Sequence, residues 1–191
     1  KLFFMKVIGI VGSARKGNGL ALTQAALDGA KEKGADVELI RLADLTIKPC
    51  LDCGFCKQPE DHFCVQKDDM AAIYQKLAEA DAVIFSSPVY FGRASATFIQ
   101  FIDRIYAACR ADFSPKLPAG KKFATIVTIG SMGAEVAEGI HAANQQVFGG
   151  MFGWKDCGLL WKNMMHVKDA AAGQPETIEE AKELGRKIVS A

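Results

Sequence analysis

The strongest constraint on the fold is an alternation. Short apolar runs rich in β-branched residues trade places with longer segments whose apolar residues recur at helical spacing. "VIGIV" at 7–11 reads as a buried strand. A helix over 20–33 follows, with Leu20, Ala21, Ala25 and Leu27 apolar and Asn18 placed to cap its start. "DVELI" alternates as a second strand, and 43–66 is irregular and cysteine-bearing. Asp68 can cap a helix over 70–80, after which "AVIFSS" is a continuous apolar strand. "PVYFGRA" reads as a loop. In the helix predicted over 95–109, Phe98, Phe101, Ile102, Ile105 and Cys109 share one face. "KFATIVTIG" is a strand, "SMGAE" a turn, 136–148 a helix and "CGLLW" a short last strand. Ile178, Ala181, Leu184 and Ile188 give the final helix its apolar stripe.

Strands alternating with helices imply α/β architecture, a parallel sheet covered on both faces. Five strands at this spacing predict the doubly wound order 2-1-3-4-5 of flavodoxin-like folds. The 191 residues, without repeat or linker, suit one domain over 1–191. Ligands of such sheets sit beyond the carboxyl ends of the strands, at the switch between strands one and three. "GSARKGN" follows strand one, "PVYFG" strand three and "GSMGAE" strand four, so the three unusual loops share one edge.

A helix N-terminus carries unpaired N–H groups and partial positive charge, which makes it an anion site. Gly12 and Gly17 let the backbone close around an anion, Ser13 and Asn18 can donate, and Arg15 adds a charged donor. The Gly-Lys-Ser/Thr of a nucleoside triphosphate loop is missing, as Asn18 follows Gly17. No G-x-G-x-x-G opens the first helix. In "SSPVYFGRASA", Pro88 fixes the backbone, Gly92 permits close approach, and Tyr90 with Phe91 offers surface for a flat ligand. Packing at a strand end is the plainer role for those two aromatics.

"GSARKGN", "SPVYFGRASA…FIDR" and "TIGSMGAE" resemble the three loops of the NAD(P)H-dependent FMN reductase family, from Met5 to about Phe148. The resemblance implies FMN, its phosphate on Ser13, Arg15, Asn18, Gly19 and the helix start at Leu20. It also implies a flavin ring against Pro88, Val89, Tyr90, Phe91 and Gly92, near Gly130 and Ser131. Relatives often carry a hydroxyl residue where Gly19 stands. In "FIDR", Asp103 and Arg104 read as a local ion pair or interface contact. The resemblance further implies NAD(P)H as donor, a small-molecule acceptor such as a flavin or quinone, and a homodimer or homotetramer.

Cys50, Cys53, Cys56 and Cys64 stand at C-x2-C-x2-C-x7-C, while Cys109 and Cys157 are isolated and read as buried small hydrophobes. Compact C-x2-C-x2-C runs suit an iron–sulfur cubane, whereas zinc prefers two separated C-x2-C knuckles. A labile disulfide and a loop without metal stay open. The motif resembles the iron–sulfur flavoprotein branch of the same family, which implies a [4Fe–4S] cluster and ferredoxin as partner; in the predicted strand order this loop emerges beside strand one, next to the flavin.

The formal net charge of +1 excludes a nucleic-acid groove, and no apolar run reaches the roughly 18 residues of a membrane span. "KLFFMKVIGIVGSA" has the outline of a secretory signal, but Lys6 splits its apolar core, and cleavage would discard the first strand. A cytoplasmic setting is the expectation. His62, His141 and His166 are scattered, and no Ser-His-Asp or paired-carboxylate arrangement stands out. Three functions follow: a flavin oxidoreductase, a ferredoxin-linked electron carrier, or a non-catalytic flavin- or metal-binding regulator.

Overall fold

Residues 4–60 and 62–191 are described by the computed structural model. In chain order the elements are β1 (Lys6–Val11), α1 (Asn18–Glu32), β2 (Asp36–Arg41), α2 (Met70–Glu79), β3 (Ala82–Tyr90), β4 (Arg93–Ala94), α3 (Ala96–Ile105), β5 (Lys122–Thr128), α4 (Ala134–Asn144), β6 (Lys155–Lys162) and α5 (Pro175–Ser190). The parallel strands run β2-β1-β3-β5-β6, the expected doubly wound order once the short antiparallel β4 is set aside.

The central strands β1, β3 and β5 are largely apolar because both of their faces are covered, whereas the edge strands β2 and β6 are more polar and more exposed. Ile8, Ile10, Phe85 and Phe123 face a layer with Met70, Ile73, Phe98, Phe101, Phe148 and Trp154. Their neighbours Val7, Ile84, Ala124 and Ile126 face Leu22, Ala26, Ala181 and Ile188 of α1 and α5. There the two helices meet backbone on backbone. A Cβ on Gly29 would lie 2.0 Å from the Lys182 carbonyl oxygen, and one on Gly185 would lie 1.7 Å from that of Ala26.

Several local expectations are corrected. "PVYFGRA" is a hairpin: β3 continues through Pro88 to Tyr90, and Arg93 pairs back onto Tyr90. Phe91 and Gly92 make the connection with φ of 49° and 77°, the double left-handed geometry that suits a two-residue turn. The helix expected to reach 148 is α4, continued as a π-helix over Gln145–Met151. The helix expected over 95–109 ends at Ile105 and tightens into a 3₁₀ turn, Tyr106–Ala108. Ser95 caps it, accepting from the Phe98 N–H at 3.2 Å.

Arg104 pairs with Asp68 rather than Asp103, at 2.5 and 3.1 Å, with both side chains buried. Asp68 also accepts from the N–H groups of Met70, as expected of a cap, and of Lys48. Burial works against the Asp68 charge, but Arg104 and these N–H groups override it and hold its pKa below the usual carboxylate value.

Candidate functional site

The carboxyl ends of β1, β3 and β5 frame a cleft of about 240 Å³. Ser13, Arg15, Asn18 and Gly19 form one wall, Pro88, Val89 and Tyr90 a second, and Thr128, Ile129 and Gly130 a third. These are the three loops that the sequence assigned to one edge.

The glycine turn leads into α1 with Gly17 ahead of the first helical residue. The first intrahelical acceptor is the Gly17 carbonyl, which takes the Ala21 N–H. The N–H groups before it belong to the unpaired first turn that makes such an end an anion site. A Cβ on Gly19 would stand 3.3 Å from the Ser86 hydroxyl oxygen and 3.8 Å from that of Thr128. Bare backbone here therefore faces a space edged by hydroxyls. With Arg15 on the same wall, that cradle fits a phosphate.

A fourth wall was not foreseen. Met165 and His166 close the cleft. After β6 the chain stays beside β5, with the Met164 and Met165 N–H groups bonded to the carbonyls of Gly130 and Ile129. His166 lies so close to Gly130 that a Cβ there would meet its ring at 2.5 Å.

Asn18 fastens this stretch and does not cap the helix. Its amide donates to the carbonyls of Met165 and Val167 at 3.0 and 2.7 Å, and its oxygen accepts from the Ala171 N–H at 3.0 Å. Arg15 adds donations to the carbonyls of His166 and Met165 at 3.1 and 3.4 Å. Gly17 is pressed from the same side, since a Cβ there would lie 2.7 Å from the Lys168 carbonyl oxygen. The polar residues of the turn are thus largely engaged with residues 165–171.

Four expected site residues stand apart from the cleft lining. Phe91, at the hairpin tip, is 99% exposed. Gly92 lines a neighbouring groove of about 440 Å³ between α3 and α4. Leu20 is half-buried and Ser131 exposed, and neither lines the cleft.

A second pocket is lined by Cys50, Cys53, Cys56 and Cys64 together with Arg104 and Tyr106. All four thiols are free. The loop winds through left-handed Asp52 and Gly54 and is strapped to its surroundings. Lys57 donates to the carbonyls of Tyr106 and Cys109 at 2.8 and 2.7 Å, and Lys116 to those of Cys56 and His62 at 2.6 and 2.5 Å. Burial pushes the Cys56 thiol pKa up, against the pull of these two ammonium groups. Cys109 and Cys157 are buried elsewhere, their pKa values also raised by burial, as inert core thiols should be.

The cysteine pocket shares no lining residue with the cleft. The two lie toward opposite ends of α3. Ser95, just before the helix, donates to the Gly12 carbonyl at 2.8 Å, whereas Arg104 and Tyr106 at the other end meet the cysteines. At 1.5 Å per residue the intervening helix is about 15 Å long.

The sequence profile of the NADPH-dependent FMN reductase family matches residues 5–153. The chain belongs to this family. An iron–sulfur flavoprotein of Methanocaldococcus jannaschii is 46% identical over 101 residues, 52% of this chain and 51% of that one. A second from the same organism is 33% identical over 196 aligned positions, 97% of this chain and 94% of its own. These relatives put the chain in the iron–sulfur flavoprotein branch of the FMN reductases. The chain spans about half to two-thirds of the length of several curated relatives that it matches. A solved flavone reductase superposes with a TM-score of 0.76 at 23% identity, covering 98% of this chain and 62% of that one. At that identity the likeness concerns the fold.

Members of a family named for FMN need a phosphate site and room for a flat ring. The cleft offers both, with Tyr90 and Pro88 opposite the helix start. For the branch, the donor chemistry is four thiols around one pocket. Among the described residues no three of His, Cys, Asp and Glu converge as ligands of one ion.

Proposed function

We propose that the chain is an FMN-dependent oxidoreductase that takes electrons from NAD(P)H and delivers them to a small-molecule acceptor, a flavin, quinone or similar compound. One observation carries the reading: an open helix start, a charged donor and an aromatic-edged wall meet in one cleft at the carboxyl ends of the central strands.

FMN, when bound, supplies hydride acceptance and onward electron delivery. The protein's own residues bind and orient. The first-turn N–H groups at Asn18, Gly19 and Leu20, the Ser13 hydroxyl and Arg15 are the phosphate donors. Pro88, Val89 and Tyr90 flank the ring on one side, and Thr128 to Gly130 with His166 on another. No side chain is required as a general acid or base. The test is to identify cofactor released from the purified chain and to follow its anaerobic reduction by NADPH and NADH. FMN reduced by either supports the reading; FAD, or a bound flavin that neither donor reduces, overturns it.

A second reading, favoured by the four free thiols around one pocket, adds a [4Fe–4S] cluster held by Cys50, Cys53, Cys56 and Cys64, with ferredoxin as an electron partner. The cluster would supply single-electron storage. Serine at any of the four should release iron, whereas Cys109→Ser and Cys157→Ser should keep it. Stoichiometric zinc, or no metal after anaerobic preparation, overturns this reading. A cytoplasmic setting and a homodimer or homotetramer belong to the same proposal. Among the described residues, no helix is long and apolar enough to cross a membrane.

A further inference from the structure

Arg104 lies within the fold, 1% exposed, where a charge is costly to bury. The cost is met by an unusual set of partners. Its Nη1 donates to the Lys48 carbonyl at 2.7 Å and to Asp68 at 2.5 Å, and its Nη2 donates to Asp68 at 3.1 Å. Its backbone carbonyl accepts from the buried Tyr74 hydroxyl at 2.7 Å.

One donor is left over. Among the described residues, two buried side-chain polar atoms have no partner, Nε of Arg41 and Nε of Arg104. Arg41 lines none of the pockets described above. Arg104 lines the pocket of the four cysteines. A buried N–H without a partner is costly and uncommon enough to call for an explanation. Four of the side chains that share this pocket with Arg104 are thiols. A guanidinium suits the position because its two terminal nitrogens can grip a carboxylate while Nε–H serves a different direction. An ammonium has no such division.

We propose that Arg104, held in place by Asp68, positions and tunes an iron–sulfur cluster in this pocket, its Nε–H donating to a cluster sulfur. This rests on the cluster reading above. Net charge and hydrogen bonds to sulfur are two levers by which a protein sets a cluster's potential; Asp68 cancels the charge of Arg104, and the Nε–H supplies the second. It makes the reduced form, which carries one more negative charge, easier to reach.

The test compares three full-length chains, prepared anaerobically with FMN and iron in place. They are the parent, Arg104→Lys, and the paired Asp68→Asn/Arg104→Gln. Lysine keeps the charge beside Asp68 but removes Nε–H. The pair removes both charges together, so that neither is left buried alone. The readouts are iron content and the cluster's midpoint potential, followed by electron paramagnetic resonance during a dithionite titration.

The parent should carry about four irons. The paired variant should be at least tenfold harder to reduce, about 59 mV for a one-electron couple. Arg104→Lys should shift the same way by a similar amount, since both variants lose Nε–H and neither changes the net charge. A paired variant that keeps its iron and the parent potential overturns the role of Arg104 and leaves the cluster reading standing. Should the paired variant lose iron, Arg104→Lys decides. Iron-loaded at the parent potential, it overturns the proposal. Iron-loaded at a lower potential, or stripped of iron with FMN content and thermal midpoint unchanged, it supports it. A parent chain without iron overturns the cluster reading and this proposal together.

Discussion

Asn18 separates two accounts of the cleft, because an amide that grips a phosphate and one that grips the chain respond differently to removal. In Asn18→Ala, the carbonyls of Met165 and Val167 and the N–H of Ala171 lose their partner. The side chain is 3% exposed, so water does not readily replace it. Three hydrogen bonds at about 0.5–1.5 kcal/mol each predict a loss of about 1.5–4.5 kcal/mol. Asn18→Asp should be worse than alanine at neutral pH, since a carboxylate oxygen would face the two carbonyls that the amide nitrogen now serves. The assay is urea unfolding of the FMN-free protein, with FMN affinity measured separately by quenching of flavin fluorescence. Stability should fall first, and affinity with it, as residues 165–171 come away from the cleft. An Asn18→Ala protein of unchanged urea midpoint but weakened FMN binding would show the amide to be a phosphate ligand and the clamp argument to be wrong.

Alanine at Gly29 or Gly185 should cost about 1–3 kcal/mol or more in urea unfolding, because the added carbon meets backbone that cannot rotate away; an unchanged midpoint would contradict the close crossing of α1 and α5. Gly92→Val should lower FMN occupancy through turn strain of about 1–3 kcal/mol rather than by crowding the ring, the nearest atom to an added carbon being a Met132 methyl at 3.7 Å. Gly92→Asn, which tolerates the left-handed region, should be milder, and equal effects of the two would remove backbone strain as the cause. The depressed pKa of Asp68 gives a stability contribution that is full above the unfolded carboxylate value of about 3.9 and is lost as pH falls through the lower folded value. Acid unfolding of Asp68→Asn/Arg104→Gln should lack that component, and an unaltered acid profile would show that the buried pair does not supply it.

The strand order was legible because Val7–Val11, Ala82–Phe85 and Phe123–Val127 are apolar on both faces, a pattern that double-sided burial requires. The placing of the three loops at one edge followed from that order. The hairpin at Phe91 was not legible, since a non-glycine residue at φ 49° leaves no compositional mark beside Gly92. Nor was the pairing of Arg104, because Asp103 is adjacent in sequence while Asp68 arrives only through the packing of α2 against α3. Met165 and His166 were missed for a related reason. They are tied down through their carbonyls, and a carbonyl is the same in every residue. Only the pairing of Asn18 with an unusually polar turn hinted that something would lie against it.

That anonymity has a consequence for inheritance. The stretch by which the family is recognised ends at residue 153, and one wall of the cleft lies beyond it. The two portions can therefore evolve at different rates. Asn18 reads only the path of the backbone it grips, so the exposed side chain at 167 can change while the grip persists, whereas Met165 is held in the core by its own packing. A substitution at His166 would therefore alter what surrounds the ligand while leaving intact the glycine turn and the stretch by which the family is recognised.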